Sequence, residues 1–297
     1  MDADAVWDAI HADYGVEVPG AVRERHAPLG TWTLVTCPEC ELQHFADAPQ
    51  GDAEFYALLM SGSLSYEDFR WEFGVVRQQI PPTASVVDIG CGTGAFLRGL
   101  PDTMRRTGLD HNEDALHVLT AAAADVVARA QDSDAHADEV GAVYDVVTAF
   151  QILEHVEDPR ALLRSARRLC ASSGVVYVSV PHRDRAGRAG FEVLDNPPHH
   201  LTRWRLPQLE RVAQAEGLVP AGSWYEPPDS SIRLAALTTA AQRRLSRLPS
   251  RLRSQAVRVV RRAADAPPAR RRMLASGWYE RRSLTGHTLL VRLRPSA

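Results

Sequence analysis

The 297 residues are 45% hydrophobic and 24% charged, a soluble globular composition that holds one substantial domain plus an appendage or two small domains. Four cysteines in this length exclude a disulfide scaffold, and no apolar run reaches the length of a membrane span. All 34 Lys+Arg positions are Arg and the formal charge is only -3, so a P-loop lysine, a Schiff-base lysine and a lysine general base are excluded.

The chain opens on acidic residues without the basic and apolar regions of a secretion signal, which makes the cytoplasm the expected compartment. Residues 1–80 read as a separate piece: a short helix, a strand-like run at 32–35, Cys37-Pro-Glu-Cys40, and an aromatic-rich helical stretch from 52 to 79. Pro81-Pro82 ends it. Strand-type runs at 85–89, 105–109, 126–130, 144–149 and 175–180 then alternate with helical patterns at 95–100, 112–123 and 160–169, the signature of a parallel α/β sheet. Asp158-Pro159 is a helix start, and Gly174 is expected to end that helix and launch the fifth strand. A helix at 206–216, an extended run at 219–225, a helical insertion at about 228–277 and a last strand at 288–294 complete a seven-stranded, doubly wound, mostly parallel Rossmann-like sheet over residues 81–297.

The most informative stretch is Val86-Val87-Asp88-Ile89-Gly90-Cys91-Gly92-Thr93-Gly94, a strand running through a glycine-rich turn into a helix. Such glycines let a ligand lie against the main chain beside helix amides. Gly90, Gly92 and Ala95 also satisfy the relaxed dinucleotide fingerprint, so a nicotinamide cofactor stays formally open. A carboxylate at Asp88 would oppose a pyrophosphate and favour a ligand bearing an ammonium and a sulfonium, which points to S-adenosylmethionine. Asp110, ending the second strand, can accept both ribose hydroxyls of either cofactor.

These features, with Gly108-Leu109-Asp110 and the run Tyr144-Asp-Val-Val-Thr-Ala-Phe-Gln-Ile-Leu-Glu-His-Val-Glu-Asp-Pro159, resemble class I S-adenosylmethionine-dependent methyltransferases, within them the bacterial small-molecule group of ubiquinone-type and sugar methyltransferases. The likeness covers residues 83–220. It implies that Gly90, Cys91 and Gly92 line the methionine part, Asp110 the ribose, Asp132 (or its neighbour Asp134 in the same acidic loop) the adenine amino group, and Gln151 the rim beside the sulfur. The N-terminal extension would form a lid, its Trp71-Glu72-Phe73 being similar to the lid segment of related chains.

Methyl transfer from a sulfonium needs alignment and desolvation, with a base only where the nucleophile carries a proton. Candidate catalytic residues are His155 after the fourth strand and His199-His200 in the polar loop after the fifth, where the pair, next to Arg203 and Trp204, suits a pocket wall as well as a base. One of the pair is expected to point away. His155 can equally be a packing residue, and Glu154 reads as a hydrogen-bonding structural acid. No metal is expected: Cys37 and Cys40 form half of a zinc knuckle, which His26 and His44 could complete only as a mixed site.

Most of the aromatics Phe55, Tyr56, Tyr66, Phe69, Trp71 and Phe73 should be core. Residues 1–200 hold 15 Arg against 31 acids, whereas 201–297 hold 19 Arg against 6. Within the latter, residues 243–272 carry 11 Arg and one acid, either a solvated insertion or a surface for an anionic acceptor, an anionic membrane or RNA. The expected activity is O-methylation of a small molecule such as a sugar, a lipid-linked glycan or a secondary metabolite. An RNA methyltransferase and a non-catalytic cofactor-binding partner subunit are the alternatives.

Overall fold

The computed structural model describes residues 1–62, 69–185, 192–227 and 286–296. The whole insertion at about 228–277, with its Arg-rich stretch 243–272, and Tyr66 lie outside the described residues. Two compact units divide the chain, one made of Met1–Arg183, Glu192–Trp224 and Leu289–Ala297, the other of Asp184–Phe191 and Tyr225–Thr288.

In chain order the elements are α1 Ala3–Tyr14, α2 Gly20–His26, β1 Thr33–Thr36, β2 Gln43–Ala46, α3 Ala53–Ser61, α4 Trp71–Arg77, β3 Ser85–Ile89, α5 Ala95–Arg98, β4 Arg105–Leu109, α6 Glu113–Ala122 and β5 Val127–Arg129. They continue with α7 Ser133–Val140, β6 Tyr144–Phe150, α8 Pro159–Leu169, β7 Cys170–Pro181, a 3-10 turn Val193–Asp195, β8 Thr202–Arg203, α9 Leu206–Ala215, β9 Leu218–Tyr225 and β10 Thr288–Pro295.

The large sheet has the order β5-β4-β3-β6-β7-β10-β9, with β3 paired in parallel to both β4 and β6, and β6 in parallel to β7. Every residue of β3 is buried, because parallel strands covered on both faces are apolar throughout. Two cores result. Val87, Ile89 and Val147 pack with Leu163, Ala166, Leu169 and Leu209. Val86 and Val146 pack with Val76, Phe96, Leu97 and Leu116.

Local chemistry explains the boundaries. Asp158 caps α8 by accepting from the amides of Arg160 and Ala161 at 2.9 and 3.0 Å, with Pro159 in the first turn where no donor is needed. Buried Leu162, Leu163, Ala166 and Leu169 form its inner stripe. Gly174 does not end α8. The helix passes into β7 at Cys170, and the register shifts between Tyr144 and Val146 opposite the Gly174 region. A Cβ at Gly174 would lie 2.9 Å from the Asp145 carbonyl and 3.0 Å from that of Tyr144, so glycine serves close strand approach at a bulge. Residues 133–140, read as an acidic loop, form α7, which escapes the apolar pattern because only His136 and Ala137 are buried.

The stretch 52–79 contains two helices, α3 and α4. Phe55 and Phe73 are core, whereas Phe69 is 71% exposed. Residues before α4 have their own core of Val6, Trp7, Ile10, Trp32, Phe45 and Phe55. They also form a small antiparallel sheet, β1-β2-β8, in which a short segment after β7 joins the N-terminal hairpin. Among the described residues no helix is long and apolar enough to cross a membrane.

Candidate functional site

The turn after β3 places Gly90, Gly92 and Gly94 in left-handed backbone, with φ of 71°, 52° and 74°. At Gly90 a Cβ would also run into the Ile152 side chain, so the turn has no room for another residue type there. The amides of Gly90 and Cys91 both donate to the Leu109 carbonyl, at 2.8 and 3.0 Å. Asp110 completes the brace: its Oδ2 accepts from the Gly92 amide at 2.7 Å and its Oδ1 from the Asn112 amide at 2.8 Å. The half-buried carboxylate thus ties the glycine turn to the start of α6, a role that the sequence does not display.

Asp88 is 3% exposed below this turn and accepts from Thr148 Oγ1 at 2.7 Å. Burial, with the nearby Asp110 charge added, pushes its pKa up to about 7 against the Thr148 bond and Arg70. The full negative charge that the charge argument assumes is therefore roughly halved at neutral pH. Cys91, also buried, has its thiol pKa raised by desolvation.

Asp132 stands at the start of α7, with its exposed carboxylate 2.9 Å from His111 Nε2. Asp134 faces α8, where Arg168 Nη1 and Ser165 Oγ donate to it at 2.6 and 3.2 Å. Gln151 follows β6 with φ of 53°, and its Nε2 donates to Ser179 Oγ at 3.3 Å. Ser179 in turn donates to Oε1 of Glu72 at 3.1 Å. Glu72, 2% exposed on α4, was visible in the sequence only as an acid among aromatics.

Beyond Gln151, the loop after β6 meets the loop before β8. The Glu154 carbonyl accepts from the Leu201 amide at 2.7 Å, and the Gly51 amide donates to the Pro198 carbonyl at 2.9 Å. These bonds bring His155, His199 and His200 together, with one ligand-type atom from each within 4.8 Å of the others. His199 and His200 stack at 4.6 Å and 16°, and each ring lies within 4.8 Å of the His155 ring, so neither of the pair points away. His155 Nδ1 is 2.6 Å from the His199 carbonyl and 3.0 Å from the Tyr56 hydroxyl, and His200 Nδ1 is 3.4 Å from buried Asp195 Oδ1.

Glu154 overturns its expected role. It is 1% exposed, and neither carboxylate oxygen has a hydrogen-bond partner among the described residues. Its Oε1 lies 3.8 Å from His155 Nε2 and 3.9 Å from His200 Nε2. Burial pushes the Glu154 pKa up to about 8 and that of His155 down to about 3, with the His200 charge adding to the latter. Desolvation likewise holds the His199 imidazole neutral.

Trp204 is fully buried with its Nε1 donating to Thr202 Oγ1 at 2.8 Å, while Arg203 donates to Asn196 Oδ1 at 2.9 Å and sits over the Phe45 ring. Cys37 and Cys40 occupy the β1–β2 turn, where the Cys40 backbone amide lowers the Cys37 thiol pKa. His26 is buried with Nδ1 2.9 Å from the Val22 carbonyl, and among the described residues neither it nor His44 joins the two thiols in a three-ligand group.

The sequence matches the Methyltransf_23 family, a methyltransferase domain, over residues 68–221, just over half of the chain. It is 31% identical over 152 residues to the ubiquinone biosynthesis O-methyltransferase of Nitrosomonas europaea, covering 46% of this chain and 65% of that protein. With the enzyme of the same name from Proteus mirabilis it shares 36% identity over 109 residues, 34% of this chain and 43% of that one. The chain thus spans less than two thirds of the length of these curated relatives. Its fold resembles that in the complex between the Haloferax volcanii Trm112 methyltransferase activator and a methyltransferase, at a TM-score of 0.50 and 21% identity, over 76% of this chain and 88% of that one.

Proposed function

Because this chain belongs to the methyltransferase-domain family, we propose that it moves the methyl group of S-adenosylmethionine to an oxygen of a small-molecule acceptor. The observation that carries the reading is the Asp110-braced glycine turn at the end of β3, beside the point where the strand order reverses. Open α/β sheets hold nucleotide ligands there. The residues fit this ligand. Three glycines keep side chains off the turn, and each Asp110 oxygen, having accepted one amide, retains a lone pair for a ribose hydroxyl.

When bound, the cofactor supplies a methyl group already carried on a sulfonium. Gln151, fixed by Ser179 and Glu72, orients the rim of the site, and Asp132 with His111 borders the adenine side. His155, His199 and His200 receive the acceptor; burial disfavours the protonated form of His155 and His199 and makes them weak bases, which leaves His200 to take the proton of a hydroxyl. Residues 1–80 cover this side, as the Tyr56 contact to His155 and the β2–β8 pairing support. The names of the curated relatives favour a small oxygen acceptor. Four free thiols suit a reducing cytoplasm, and the Arg-rich segment 243–272 suits an anionic acceptor or membrane surface.

Calorimetry with S-adenosylhomocysteine and with NAD tests the cofactor. S-adenosylhomocysteine should bind saturably, and Asp110→Ala should weaken it by on the order of 1.5–3 kcal/mol, through lost ribose bonds and a loosened Gly92 amide. Saturable NAD binding without S-adenosylhomocysteine binding would overturn the reading.

A further inference from the structure

We propose that His155, His199, His200 and Glu154 form a binding site for one divalent transition metal ion of the zinc class. This inference goes beyond methyl transfer and takes the place of the proton-accepting role given above to these imidazoles, whose lone pairs the metal would use. It stands on four observations about the cluster itself.

First, the donors already converge, with one ligand atom from each histidine within 4.8 Å of the other two. Ligands of a tetrahedral zinc ion at about 2.0–2.1 Å are roughly 3.3 Å apart, so binding draws the three nitrogens closer and turns the stacked His199 and His200 rings toward a common point. Second, the Glu154 carboxylate is enclosed without any hydrogen bond among the described residues, with Oε1 facing Nε2 of both His155 and His200. A bound cation would give this buried carboxyl the partner it lacks and favour its ionised form, beyond what the charge of nearby Arg70 supplies. His199 Nδ1 is a second buried atom without a partner.

Third, two of the rings are oriented from behind. With its Nδ1 proton donated to the His199 carbonyl, His155 has its Nε2 lone pair on the Glu154 side, and His200 Nδ1 likewise backs onto Asp195. Metal-bound histidines usually have such a carbonyl or carboxylate partner on the other ring nitrogen. Fourth, the donor set decides the metal. Three imidazole nitrogens and one carboxylate oxygen suit zinc, cobalt, iron or manganese, and are a poor match to calcium or magnesium, which take oxygen.

The test uses the untagged full chain, stripped with chelator and titrated with Zn²⁺ in competition with a chromogenic chelator, and separately with Co²⁺ followed by visible absorption. One equivalent should bind, giving a Co²⁺ spectrum without a thiolate charge-transfer band. His199→Ala with His200→Ala should weaken Zn²⁺ by on the order of 10²-fold or more, and the milder Glu154→Gln by about tenfold. Cys37→Ser with Cys40→Ser, which removes the other metal-ligating pair, should leave the equivalent in place. Absence of saturable binding to the wild type, equal binding in the histidine and glutamate variants, or loss in the cysteine variant alone would each overturn the site. S-adenosylhomocysteine is titrated in parallel, so failure of metal binding and failure of the methyl-transfer reading are separate results.

Discussion

Asp88 shows how burial changes what a motif residue does. In an unfolded chain its carboxyl would titrate near the ordinary 3.8, whereas in the fold it titrates at about 7. Between these values the folded state holds a proton that the unfolded state has lost, so stability is full below about pH 4 and falls as pH rises to about 7. Three pH units of such displacement correspond to on the order of 4 kcal/mol, and 2–4 kcal/mol is the expected range. Asn cannot titrate and can still accept from Thr148. Urea unfolding of wild type and Asp88→Asn at pH 4.5 and pH 8 should therefore show the wild type losing 2–4 kcal/mol more than the variant across that interval. Equal losses would place the Asp88 pKa near its ordinary value. At this scale the glycine turn, Asp88 and Asp110 were legible because strand, turn and strand end follow one another in sequence. The three histidines were legible one by one, from their places after strand ends, but not as a cluster around Glu154, since His155 and His199 are separated by 44 positions and meet only through folding.

Elements were legible where an apolar period and a cap coincide, as in α8, and illegible where one of these is missing. α7 buries too little to show a stripe, and β8 is two residues long, yet α7 engages α8 through Asp134 and β8 fastens the histidine loop to the N-terminal hairpin. Gly174 was read as punctuation because sequence alone cannot separate a glycine that ends a helix from one that admits a neighbouring strand. The two make different predictions. A Cβ there would meet Cys170 Sγ at 2.8 Å, which a side chain can relieve, and two backbone carbonyls, which it cannot. Gly174→Ala should cost about 1–3 kcal/mol of stability, lowering Tm by roughly 2–4 °C per kcal/mol. Affinity for S-adenosylhomocysteine should be unchanged, because the bulge lies at the Tyr144 end of β6 and the glycine turn lies beside the opposite ends of the strands. A variant as stable as the wild type would show that the bulge accommodates a Cβ and that close strand approach does not require glycine there.

Across the whole molecule, charge is distributed more unevenly than the net value of -3 shows. Every residue assigned here to the cofactor precedes residue 152, on elements β3 to β6 and the turns that follow them. The 11 Arg of residues 243–272 come later in the chain, and removing them with Asp265 takes the formal charge from -3 to -13. If that segment serves the acceptor, its deletion separates the two ligands. Affinity for S-adenosylhomocysteine should stay within about twofold, since surface charges beyond a Debye length of about 8 Å are screened at physiological salt. Turnover of an anionic acceptor should fall, and the decline of wild-type kcat/KM with added salt should flatten in the deletion, because the attraction that salt screens is gone. A neutral acceptor of similar shape should lose little. Identical salt profiles for the two proteins would assign the arginines to balancing the acidic residues 1–200, and a loss of S-adenosylhomocysteine binding would mean that the sheet depends on the segment for its folding.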